Sequence, residues 1–142
     1  MINIKERTLA ILKPDSYRKK IHGDIISYIE KDGFNILSFK LKKLSIEEVK
    51  MFYSIHKDRP FFQDLIEYMV SDKVLILILE CDDAVQKFRS LMGDTDPRKA
   101  QKGTIRGDFA DNISENCVHG SDSIENAKNE ISFFFDQNEF VK

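Results

Sequence analysis

The stretch KVLILILE, Lys73 to Glu80, decides the fold. Val74 to Leu79 are apolar without interruption, and the run is shorter than the roughly 10 residues a buried helix needs, so it reads as a strand covered on both faces. Such a strand requires helices on each side of its sheet. Just after it, DDAVQKFRSLMG sets Val85, Phe88, Leu91 and Met92 at helical spacing and closes on Gly93, with Arg89 on the same helix. Just before it, Ser45 with Glu48 forms a capping-box signature ahead of Val49, Phe52 and Tyr53, and KDRPFFQDLIEYM restarts a helix with Pro60 in its first turn. Further out, FNILSFKL alternates with both faces partly apolar, which allows another covered strand. HGDIISYIEKDG places Ile25, Ile26 and Ile29 on one helical face before Gly33, and RTLAIL is a strand that stops at KPD, leaving Lys13 at its end. The order is strand, helix, strand, helical pair, strand, helix, the irregular segment GDTDPRKAQKGTIRG, and a short strand into a helix starting near Asp122. This alternation predicts a mixed sheet with helices packed on it.

The chain has 142 residues, 42% of them hydrophobic, a size and composition that suit one compact domain over residues 1–142. With 22 basic against 24 acidic residues there is no chain-wide basic field for nucleic acid and no acidic tail. Any phosphate site has to be local. Cys81 and Cys117 are far apart and show no CxxC spacing, which fits a reducing cytoplasm. No run approaches the roughly 20 apolar residues of a membrane span, and the N-terminus lacks the pattern of a secretory leader, so no membrane partner is expected.

Familiar phosphate and metal motifs are missing: there is no GxxxxGK[ST], no GxGxxG after a strand and no HExxH, and His22, His56 and His119 fall in no ligand spacing, so no protein-held metal is expected. The chemistry concentrates in NCVHGSD, Asn116 to Asp122. Gly120 clears space beside the His119 ring, Ser121 offers a hydroxyl, and Asp122 with Glu125 has the spacing of a capping box, so His119 is read as preceding a helix N-terminus, where phosphate is attracted. A neutral imidazole is a competent nucleophile near pH 7 if one nitrogen is free and the other held, and Glu130, beside the apolar stripe of the following helix, is the candidate holder. A phosphoryl group in transit also needs fixed cations and donors, for which Arg89, Thr95 and Arg106 are available. Phe61, beside Phe62, offers a stacking plate for a base, although two adjacent phenylalanines are usually core residues. Taken singly, each of these is an ordinary surface or core residue.

Taken together they resemble the nucleoside diphosphate kinase family. The likeness runs from ERTLAILKPD through KDRPFF, GDTDP and GTIRGDFA to NCVHGSDSIENAKNEI, nearly the whole chain. It implies an α+β, ferredoxin-like βαββαβ fold, a mixed or antiparallel sheet with flanking helices, in a single domain. It also implies ping-pong transfer of the γ-phosphoryl of a nucleoside triphosphate, commonly ATP, to a nucleoside diphosphate through a phosphohistidine on His119. Mg²⁺ would be bound mainly through the nucleotide phosphates. By position, Lys13 and Asn116 match the family's sugar and phosphate contacts, Tyr53 lies near the histidine, and Phe61 stacks on the base. Arg89, Thr95 and Arg106 match its phosphate-binding set, and Ser121 with Glu130 the pair that orients the histidine. A stacked base is held without edge reading, so broad base acceptance follows.

Three departures stand out: Ser16 and Cys81 where the family often has glycine, and Lys102 where many members carry proline, in a loop used for subunit contacts. The short ending FFFDQNEFVK is similar to bacterial members, which implies a homo-oligomer, tetramer or hexamer, built from dimers. The alternative is a non-catalytic nucleotide-binding or scaffold module on the same fold. Such a module has no physical need for His119, Glu130, Arg89 and Arg106 together.

Overall fold

A computed structural model describes residues 5–139; the readings made on the first four and last three residues, including part of the short ending, lie outside the described residues. Four strands form one sheet in the order β2-β3-β1-β4: β1 Glu6–Leu12, β2 Asn35–Lys42, β3 Val74–Cys81 and β4 Val118–Gly120. Every pairing is antiparallel. The helices are α1 Pro14–Arg18, α2 His22–Lys31, α3 Ile46–Phe52, α4 Phe62–Met69, α5 Ala84–Met92, α6 Ile105–Phe109 and α7 Ile124–Phe134. Among the described residues no helix is long and apolar enough to cross a membrane.

The run 74–79 is covered on both faces as its composition requires. Side chains of a strand alternate between faces, and the two parities enter different cores. Leu75, Leu77 and Leu79 join Ala10 and Leu12 of β1 with Ile25, Ile29 and Phe88. Val74, Ile76 and Ile78 join Leu9 and Ile11 with Val49, Ile66, Met69 and Phe134. β1 and β3 are thus the central pair, with α2 and α5 over one face and α3, α4 and α7 over the other.

Four local readings need correction. β2 is not a covered strand: it lies at the sheet edge, paired among the described residues only with β3, and leaves Phe39 67% and Leu41 50% exposed. The turn at KPD is a one-turn helix, α1, with Pro14 in its first turn, where a missing N–H costs nothing. The irregular segment ends in α6, capped by Thr104, whose side chain accepts the Gly107 N–H. The last helix is capped by Ser123, not by Asp122 with Glu125: the Ser123 hydroxyl accepts the Asn126 N–H at 3.0 Å. The capping box at Ser45 and Glu48 is present as read.

Leu77 is fully buried at the centre of one core. Leu77→Ala is expected to destabilise by about 2–5 kcal/mol, seen as a lower urea midpoint with little change in slope.

Candidate functional site

β4 pairs with β1 so that His119 stands opposite Ile11, at the end of β1 that runs into Lys13. β4 also lies close under α5. A Cβ on Gly120 would stand 2.7 Å from both Phe88 Cδ2 and Met92 Cε, so only glycine lets α5 approach and bring Arg89 beside the histidine. His119 borders a cavity of about 430 Å³ whose polar lining includes Lys13, Arg89, Thr95, Arg106 and Asp94. The N-terminus of α7 is not part of that lining. His119 sits on a strand five residues before the first helical residue; the start of α7, with Asp122 and Asn126, lines a separate cavity of about 410 Å³ that His119 also borders, while the cations line this one.

The imidazole is held from one side. Its Nε2 lies 3.0 Å from Glu130 Oε1, and the Ser121 hydroxyl donates to the same oxygen at 2.8 Å. Ser121 in turn accepts the Leu9 N–H at 3.2 Å, so the triad is anchored to the central strand. Ser121 therefore acts on Glu130 rather than on the ring. An ionised carboxylate only accepts, which places the ring proton on Nε2 and leaves the lone pair on Nδ1. The edges of two aromatics fix the ring plane: Phe52 at 5.3 Å and Tyr53 at 6.0 Å between centroids. The Tyr53 hydroxyl is buried with no hydrogen-bond partner among the described residues, and burial, then the Glu130 charge, pushes its pKa above the ordinary phenol value.

The cations are only partly neutralised. Lys13 Nζ donates to Asn116 Oδ1 at 2.9 Å, and Asn116 Nδ2 donates to the Thr95 carbonyl at 3.3 Å, linking the three residues. Burial, and then the neighbouring Arg106 charge, lowers the Lys13 pKa to about 8. Arg106, 8% exposed, donates Nη2 to the Val118 carbonyl at 2.8 Å, Nη1 to the Gly93 carbonyl at 3.0 Å and Nε to the Asn116 carbonyl at 3.4 Å. It therefore clamps the loop after α5 to the strand carrying the histidine while keeping two of the five guanidinium N–H groups for another acceptor. Three cations with one carboxylate at one cavity make a local positive field suited to a polyanion.

A second cavity, of about 460 Å³, adjoins the first through Lys13 and Thr95 and is lined by Phe61, Leu65, Tyr68 and Ile113. Phe61 is 48% exposed on this wall, whereas Phe62 packs against the core, so the two adjacent phenylalanines divide between site and core. All ten candidate residues thus gather around these two cavities and the histidine. Ile113, Phe52, Tyr68 and Asp15 were not picked out by the sequence. Ile113 and Phe52 carry no local signal, and the pairing of Asp15 with Tyr68 spans 53 residues.

A sequence model of the family described as nucleoside diphosphate kinase matches residues 6–140. The chain belongs to the nucleoside diphosphate kinase family. Relatives of that name from Helicobacter acinonychis (strain Sheeba) and Wolbachia pipientis wMel are each 56% identical to it, over 96% of this chain and 100% and 98% of their own lengths. The fold superposes on nucleoside diphosphate kinase of Aquifex aeolicus with a TM-score of 0.94 at 39% identity, covering 97% of this chain and 100% of that one. The Halobacterium salinarum family member, solved in complex with CDP, gives a TM-score of 0.94 at 35% identity, covering 98% and 93%. Membership makes the chain a nucleotide phosphotransferase and disfavours the non-catalytic module.

Because Arg106 holds three carbonyls, Arg106→Gln is expected to reduce stability as well as activity, by about 2 kcal/mol in urea unfolding. An unchanged midpoint would show that the clamp contributes nothing.

Proposed function

We propose that the chain transfers the γ-phosphoryl group of a nucleoside triphosphate, commonly ATP, to a nucleoside diphosphate through a phosphohistidine at His119 Nδ1. The observation that carries this is the Glu130 bond to Nε2, which leaves Nδ1 as the ring's nucleophile next to the cationic cavity. In the first half-reaction the Nδ1 lone pair attacks the γ-phosphorus. The bond to the β-phosphate oxygen breaks, and the diphosphate leaves with the electron pair. Glu130 and Ser121 stabilise the positive charge that grows on the ring, while Arg89, Arg106 and Thr95 meet the negative charge spread over the phosphoryl oxygens. The second half-reaction reverses these steps with a different nucleoside diphosphate, which is why one site serves both.

The nucleoside end is assigned to the adjoining cavity, with the base between Phe61 and Ile113 and the sugar beside Lys13 and Asn116. The CDP complex of the Halobacterium salinarum relative supports nucleotide binding by this chain. A base held by its faces is accepted whatever its edge, so purine and pyrimidine diphosphates should all serve. Mg²⁺ suits this donor set as a companion of the phosphates: Asp94 is the single carboxylate among the cavity's lining residues, and Mg²⁺ keeps water and phosphate oxygens as ligands. When bound, it would neutralise phosphate charge.

The exposed Phe39 and Leu41 on the β2 edge support a homodimer in which two such edges meet, the unit from which tetramers or hexamers are built. The free thiols of Cys81 and Cys117 support a cytoplasmic location.

Brief exposure to ATP is expected to place one acid-labile phosphoryl group on the chain, read by intact-mass spectrometry. His119→Ala should abolish both the label and transfer while ADP still binds; retained transfer would sink the assignment. Nucleotide phosphates stabilise the Lys13 cation and raise its pKa above the free value of about 8. ADP affinity is therefore level below that value and falls as pH rises through it, with proton uptake on binding. Calorimetry in two buffers of different ionisation enthalpy checks this, and affinity that stays constant without proton uptake would remove Lys13 from the contact set.

A further inference from the structure

Asp15, Ser16 and Tyr68 lie outside the set assigned above, yet they converge on one residue of the site. Asp15 is 1% exposed, and its two carboxylate oxygens divide their partners: one accepts the Tyr68 hydroxyl, the other the Cys117 N–H at 3.1 Å. Ser16, fully buried, donates its hydroxyl to the Cys117 carbonyl at 2.7 Å, and the Lys13 N–H donates to the same oxygen at 2.8 Å. Both peptide groups of Cys117 are thereby pinned by the turn after β1.

Cys117 needs such pinning. Its φ is 72°, in the left-handed region that residues with a Cβ leave unless their surroundings over-determine it. The thiol does no evident chemistry: it is fully buried, and burial, then the Asp15 charge, pushes its pKa up to about 12. The conformation matters for its neighbours. Asn116 carries the bonds to Lys13 and Thr95, and His119 lies two residues beyond Cys117 on β4. Tyr68 belongs to α4 and lines the cavity assigned to the base, beside Phe61.

We propose that Asp15 is a positioning residue for phosphoryl transfer: bridged to Tyr68 and assisted by Ser16, it holds Cys117 in the left-handed conformation that directs Asn116 to Lys13 and sets His119 at the phosphate cavity. The bridge ties the helix that forms the base wall to the strand that carries the nucleophile, so base and histidine keep a fixed separation. Ser16, a departure from the glycine often found in the family, adds a tie that a glycine cannot make. The inference rests on the reading of His119 as the phosphoryl carrier.

Ser16→Ala and Tyr68→Phe test it, since each removes one hydroxyl and little bulk. Asp15→Ala would strand a buried N–H and a phenol, and is the variant most prone to unfold. Three quantities are measured: the rate of His119 phosphorylation at saturating Mg-ATP in a single turnover, ADP affinity by calorimetry, and the folded fraction by circular dichroism. Tyr68→Phe is expected to lose about ten- to hundredfold in rate, as misplacement of a reacting group does, and Ser16→Ala, whose tie the glycine common in the family also lacks, about two- to fivefold, with ADP affinity changed less than about threefold and the fold intact in both. A wild-type rate in Tyr68→Phe, or a loss that follows ADP affinity or the folded fraction, would overturn the proposal. The unsubstituted chain is measured first. If it takes no acid-labile phosphoryl from ATP, the functional reading fails rather than the positioning role.

Discussion

The bond between Glu130 and His119 Nε2 is the interaction on which the rest of the site depends. Free imidazole exchanges its proton between two nitrogens, and either can act as nucleophile. A carboxylate that can only accept ends that ambiguity, because it keeps the proton on the nitrogen it faces. The Ser121 hydroxyl on the same oxygen, itself tied to the backbone of β1, removes the freedom of Glu130 to follow the ring. The placement of the ring is thus set by hydrogen bonds that begin in the central strand of the sheet.

Electrostatics complete the arrangement. Lys13 and Arg106 are both shifted toward their neutral forms, first by burial and further by a neighbouring cation, Arg106 at Lys13 and Arg89 at Arg106, so the fold gathers like charges at one cavity and has to hold them there. Arg106 serves both purposes at once, because its grip on the carbonyls of Gly93, Asn116 and Val118 is what brings the loop after α5 against β4. The loop is ordered by short-range bonds of its own, with Asp96 accepting the Arg98 backbone and guanidinium N–H groups and Asp94 accepting the Asp96 N–H.

The strands were legible wherever composition decided burial. Val74 to Leu79 could only be a strand covered on both sides, and both of its parities do enter cores. β2 misled because its alternation does not say which strands lie beside it, and an edge strand shows apolar residues to solvent for a reason outside its own sequence. The caps divided in the same way. Ser45 and Glu48 close a box through local geometry alone, whereas Asp122 and Ser123 compete for one helix, and the path of the chain leaving β4 gives the cap to Ser123.

By itself the sequence determined the covered central strand, the helices that flank it and, through the segment around His119, the kinship and the residue types of the site. These follow from hydrophobic period and local motif, which act over a few residues. Tertiary structure decided which nitrogen of His119 is free, that Ser121 addresses Glu130 instead of the ring, and that Phe61 rather than Phe62 faces the cavity. It also decided that Asp15 and Tyr68 meet at Cys117, from positions 15, 68 and 117 of the chain. Contacts of that span depend on how the helices pack on the sheet, and packing is a property of the assembled fold that no local pattern encodes.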